Sequence, residues 1–126
     1  MPAMTSPRSA SVLTAALPPH LAERVRVAAD GDASADGEFV LLWLHHACRD
    51  HDNAALDVAL HLAQALHRPV LAYQGLAAGH RFDNDRHHAF ILQGARELAP
   101  ALARRGVRSV FHLPMAEPDG GGGAAA

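Results

Sequence analysis

Along positions 38–113 the apolar residues change period repeatedly, and each change marks a new element. Phe39-Val40-Leu41-Leu42-Trp43-Leu44 is an unbroken apolar run. Such a run predicts a strand buried on both faces, since a half-exposed strand would alternate. From Ala54 to Leu66 the apolar residues fall at 56, 59, 60, 63 and 66, widened by Ala55, Val58 and Leu62. That spacing predicts an amphipathic helix. In Asp52-Asn53 the sequence offers two capping residues, and Asp52 is the expected N-cap. Arg68-Pro69 ends the helix, because a residue before proline resists the α conformation.

Val70-Leu71-Ala72-Tyr73 predicts a second strand, and 75–84 a loop. A second long helix is expected over Asp85–Arg104, with Phe90, Ile91, Gly94, Leu98 and Leu102 on one side and Gly106 as its C′ residue. Pro100 removes the bond its N–H would give to the Arg96 carbonyl, so a kink is expected at an exposed turn. Val107–Leu113 predicts a third strand, stopped by Pro114. The order β-α-β-α-β implies parallel strands joined by right-handed crossovers. The expected class is α/β: a Rossmann-like three-layer α/β/α arrangement with a parallel sheet, incomplete, with about three strands and two main helices.

The flanks differ in character. Residues 1–16 are rich in Ser, Ala and Pro and are expected to form a loose tail. Residues 17–113 form the expected folded domain. It opens with a short helix over Pro18–Val27 and an acidic Gly/Asp/Ser loop over 30–37. Residues 114–126, ending in four Gly and three Ala, are expected to be disordered.

Composition narrows the functional classes. A chain of 126 residues with 49% hydrophobic and 19% charged residues is one globular domain at most. Its formal charge of −2 excludes a strongly basic nucleic-acid footprint. All basic residues are Arg, which reads as a base-composition bias rather than as chemistry. One Cys excludes an internal disulfide framework and a Cys-based zinc cluster. No apolar stretch is long enough for a membrane span, and the start lacks the apolar core of a secretory signal. A cytoplasmic chain with no membrane partner is expected.

Candidate chemistry gathers after the first strand, where ligands of parallel sheets bind. His45 or His46 with His51 and an Asp would make a metal site conceivable. No His-x-x-x-His pair encloses a Glu, however, and no metal site is assigned. His87 and His88 are adjacent on a helix and point to different faces. Cys48 is a lone thiol near these histidines, weak evidence for a nucleophile. The strand is followed by His-His-Ala-Cys-Arg-Asp-His, so neither a dinucleotide fingerprint nor a phosphate loop is present. Arg49-Asp50-His51-Asp52-Asn53 is the densest polar cluster. Its plainest reading is a solvated strand-to-helix loop, with Asp52 capping and Arg49 paired to a carboxylate. No catalytic residue is assigned.

Two blocks resemble the N-terminal α/β domain of the photolyase/cryptochrome family. In the first, Trp43, Arg49, Asp52, Asn53, Ala55 and Leu56 match a strand ending in Trp, a polar turn, Arg, two residues, Asp-Asn and a small/apolar helix. The second, Arg86-His87-His88-Ala89-Phe90-Ile91-Leu92-Gln93-Gly94-Ala95-Arg96-Glu97-Leu98, resembles a helix of class II deoxyribodipyrimidine photolyases, with Arg86, His87, Phe90 and Gly94 as the matching positions. Arg24-Val25-Arg26-Val27 resembles the Arg-rich stretch before the first strand of that class. Departures are Ala47, where Asp or Ser is usual, His46, where an Arg-type residue is usual, and His88, where Tyr is usual.

The resemblance implies an antenna-type α/β domain, which in many relatives holds a deazaflavin or a folate and passes excitation to FAD. It also implies the sheet order 3-2-1-4-5. Strand 1 then becomes an edge when the fourth and fifth strands are missing, which would favour pairing with another chain. FAD and the DNA-lesion pocket belong to a helical domain with no counterpart in this sequence. The expectation is a truncated or split gene product without repair activity alone, partnered by a separately encoded FAD-binding photolyase domain and meeting DNA only through it. The alternative is a stand-alone nucleotide-binding module of the universal-stress type, since fold alone does not fix function.

Overall fold

The structure is a computed structural model, and it describes residues 8–45, 48–76 and 85–113, except for the side chains of Asp85 and His87. In chain order its elements are α1 (Ala10–Ala15), α2 (Pro19–Ala22), β1 (Val40–Trp43), α3 (Ala54–Leu66), β2 (Val70–Gly75), α4 (Asp85–Arg104) and β3 (Arg108–His112). The three strands are parallel in the order β1-β2-β3. Leu42 lies beside Ala72 and Trp43 beside Tyr73, while Tyr73 lies beside Val110.

Both crossovers step the same way across this sheet. Right-handed connections that step the same way place their helices on the same face. One core results: Leu42, Leu44, Val70 and Ala72 pack with Leu56, Ala59 and Ala63 of α3 and with Leu98 and Leu102 of α4. Leu56 and Leu102 are fully buried. The helices α1 and α2 pack against α3, so they do not reach the other face.

That other face carries Leu41, Trp43 and Val110, exposed to 58%, 67% and 45%. The continuous apolar run predicts a strand covered on both sides, yet β1 is covered on one. Successive strand side chains alternate between faces, and only the even positions of β1 meet the helices. The parallel α/β class, with three strands and two main helices, therefore forms as expected. Among the described residues it has two layers, and a helical layer on the second face is not among them.

Local sequence sets the boundaries. The α3 helix spans the predicted residues, but its N-cap is Asn53, not Asp52: the Asn53 side chain accepts from the Leu56 amide at 3.2 Å. Asp52 instead takes a left-handed conformation, φ 47°, which turns the chain into the helix. At the other end the Arg68 amide donates to the Ala63 carbonyl and the His67 amide to Gln64, closing a Schellman motif with His67 at φ 54°. The α4 helix ends in the same motif, Val107 to Leu102 and Gly106 to Ala103, and there Gly106 supplies the positive φ of 76°. Pro100 sits inside α4 on an exposed position.

The short helix expected over Pro18–Val27 shrinks to Pro19–Ala22. Within the stretch expected to be loose, residues 1–16, Ser9 is buried and caps α1. The Arg8 guanidinium donates to the carbonyls of Ala33 and Ser34, and the Asp30 carboxylate accepts from the Ser11 amide and hydroxyl. The acidic loop was readable in the sequence, but its partner segment was not, because the two are about twenty residues apart and share no period.

His67 is the non-glycine residue at a left-handed helix end, a conformation that costs an L-residue about 1–2 kcal/mol. The variant His67→Gly is expected to gain about 0.5–1 kcal/mol, after the entropy glycine adds to the unfolded chain. Urea denaturation checks this: the midpoint rises with the slope unchanged.

Candidate functional site

A cavity of about 530 Å³ opens at the carboxyl ends of the strands, between the helix-covered face of the sheet and α4. It exists because α4 is long and β1–β3 are short. Twenty helical residues overreach strands of four to six residues, so the amino-terminal half of α4 has little sheet beneath it. Phe90 in that half is 75% exposed, whereas Leu98 and Leu102 in the other half are buried. The cavity wall is apolar, including Leu44, Leu92 and Phe111, with Gln74, Ser109 and Arg96 as its polar groups. Gln74 and Ser109 are half-buried and lie on the same face as Ala72. Its size is in the range of small-molecule sites, roughly 300–1,000 Å³.

Sequence reasoning missed these three polar residues. A signal existed: Gln74 is a polar residue near the carboxyl end of β2, and Ser109 a small polar residue near the start of β3. The second strand runs to Gly75, two residues beyond Tyr73, and this extension brings Gln74 into the sheet.

The polar cluster 49–53 forms a separate structure. The Arg49 guanidinium donates from Nε to the carbonyls of His51 and Asp52, each at 3.0 Å, and from Nη2 to Asp52 at 2.8 Å. The sequence predicts a carboxylate partner for Arg49; the bonds described run to backbone carbonyls. The buried Asn53 amide donates back to the Arg49 carbonyl at 3.0 Å while its oxygen caps α3. Arg49, Asp52 and Asn53 thus hold one turn in shape. Arg105 ties that turn to the end of α4: it donates to the Asp50 carbonyl and pairs with Asp57 at 3.5 Å. His51 hydrogen-bonds the Asp50 carboxylate at 3.1 Å, which holds that carboxyl below its usual range.

The remaining family-motif positions do not converge on this turn. Trp43 is on the open face, edge-on to Tyr73 at 6.4 Å and tilted against His45 at 5.9 Å. Arg86, Phe90 and Gly94 lie along α4, all exposed, and a Cβ at Gly94 would meet nothing within 4 Å. His87 is also in α4, and its side chain lies outside the described residues.

Among the described residues no group of three His, Cys, Asp or Glu could hold a metal ion, and His46 is outside them. Cys48 is at the surface, and desolvation pushes its thiol up, which makes the thiolate scarce at neutral pH. No described helix is long and apolar enough to cross a membrane.

A parallel sheet with a cavity beyond the carboxyl ends of its strands is the ligand-binding arrangement of open α/β proteins. The sequence comparison is more specific. Over 89 residues, 71% of this chain, it is 32% identical to the deoxyribodipyrimidine photo-lyase of Methanothermobacter thermautotrophicus. This supports a relationship to the photolyase family. The chain spans 20% of that relative's length. No family model and no solved structure matches the chain.

The two-sided use of Asn53 predicts its weight. Asn53→Ala removes the cap of α3 and strands the Arg49 carbonyl, and is expected to cost about 1–2 kcal/mol. Asn53→Asp keeps the cap acceptor and is expected to recover part of the loss. Equilibrium denaturation of the three proteins orders them.

Proposed function

We propose that this chain supplies an antenna-type α/β layer of a photolyase-related protein, closest to class II, with a planar chromophore seated in the cavity at the strand ends. The observation that carries the reading is that cavity. It is apolar on its walls, has three polar groups, and stands in a chain whose similarity runs to a light-dependent DNA-repair enzyme. A deazaflavin or a folate fits the chemistry of the lining. Apolar walls suit a flat conjugated ring, and Gln74 and Ser109 supply hydrogen-bonding groups for ring carbonyl or amide edges. Arg96 at the margin suits an anionic tail. When bound, such a group would absorb light and pass excitation on.

In this reading the chain does no repair chemistry by itself. FAD and the damaged DNA are held by a helical domain on a separate polypeptide, and this layer meets DNA through that partner.

Titration of the purified chain with a deazaflavin, a reduced folate and an adenine mononucleotide, read by equilibrium dialysis, tests the reading. The expected result is saturable binding of the deazaflavin or the folate. Ala95→Phe should fill the cavity from α4 and weaken binding at least about tenfold, or 1.4 kcal/mol. Binding of the mononucleotide alone would favour the stand-alone nucleotide module instead. Binding that survives Ala95→Phe would remove the cavity from the account.

A further inference from the structure

The cavity at the strand ends has one charged group in its wall. Arg96 borders it together with Gln74 and Ser109, and no Asp, Glu or His is among its described lining residues. That cation is not neutralised from within its own helix. Its neighbours three and four residues away are Leu92, Gln93, Ala99 and Pro100, and none carries a carboxylate. Glu97 is next in sequence, but residues one apart on a helix do not face each other. Among the described residues the Arg96 side chain forms no ion pair. A guanidinium keeps its charge across the pH range of folded proteins. Arg96 is exposed, so an anion can reach it without either charge being buried.

We propose that Arg96 is a specificity-determining residue that makes the cavity selective for anions: its ligand is a flat apolar molecule with an anionic group at one end. Apolar area drives entry whatever the charge of the ligand, since Leu44, Leu92 and Phe111 take that area out of water. Charge then sorts ligands of equal apolar area. An anion gains the attraction of Arg96, and a neutral analogue gains nothing. A cation is repelled, with no carboxylate in the wall to offset the repulsion. The selectivity rests on the same cavity as the antenna reading, and it fixes the charge of the ligand rather than the identity of its ring.

Two dyes with one ring system test it: 1-anilinonaphthalene-8-sulfonate, an anion, and N-phenyl-1-naphthylamine, its neutral counterpart. Each is titrated by fluorescence into the full-length chain, and the binding that Ala95→Phe removes is the cavity's share. Within that share, Arg96→Gln should weaken the sulfonate about three- to fivefold, the size of an exposed ion pair, and change the neutral dye by less than about 1.5-fold. Arg96→Lys should retain most of the sulfonate affinity, and added salt should lower it relative to the neutral dye. Arg96 is exposed, so the far-ultraviolet circular dichroism of both variants should match the parent. Equal losses for the two dyes in Arg96→Gln, or a sulfonate indifferent to that change, overturn the proposal. So does dye binding that Ala95→Phe leaves whole. The two readings of the cavity fail apart. Charge-selective dye binding without a bound deazaflavin or folate would sink the antenna and keep the selectivity, and a bound chromophore with dyes indifferent to Arg96 would do the reverse.

Discussion

The handedness of two crossovers governs most of what this molecule presents to its surroundings. Both βαβ units step from β1 toward β3, and crossovers of one hand that step the same way put α3 and α4 on one face. Once that is fixed, the even positions of β1 and β2 make the only core the described strands have, and the odd positions are left outside. Parallel sheets are ordinarily buried on both faces. Here one face is buried and the other shows a row of rings, Trp43 against Tyr73 and Tyr73 stacked with His112. Neither the composition nor the length of the strands could have produced this asymmetry. It follows from the direction in which the chain moves across the sheet.

The same constraint explains which parts of the sequence could be read directly. The α3 helix was legible to the residue, because its period, its stop at Arg68-Pro69 and its polar start agree. The α4 helix was legible despite Pro100, because the apolar stripe continues past it to the buried Leu102. The choice between Asp52 and Asn53 was not. Both residue types cap helices, and the decision rests on the backbone: Asp52 is left-handed, which rotates Asn53 into the extended conformation a cap requires. The exposure of β1 was also hidden, since an apolar run looks the same whether one or two of its faces find partners.

The polar cluster after β1 looked like chemistry and folds as architecture. Arg49 directs its donors to the carbonyls of the turn, and Asn53 joins Arg49 to the first turn of α3. A constellation of this kind explains why Arg, two residues and Asp-Asn resemble a family pattern without any of them reaching the cavity. The motif specifies how the chain leaves the first strand and enters the first helix. The residues that line the cavity carry no such pattern, because a ligand pocket in this fold is assembled from the ends of three strands and the side of a helix. Single positions from distant segments leave no spacing to recognise.

Two surfaces of opposite character are thereby separated by the thickness of one sheet. On the helix-covered side, α4 outruns the strands and leaves a cavity with three polar groups among apolar walls. On the open side Leu41 and Trp43 present an exposed apolar surface. A side chain cannot serve both, because strand residues alternate. Gln74 lines the cavity, and its neighbour Tyr73 stands on the open face against Trp43. A change confined to one surface can therefore leave the other unaltered, provided the shared core of Leu42, Ala72, Leu56 and Leu102 is left intact.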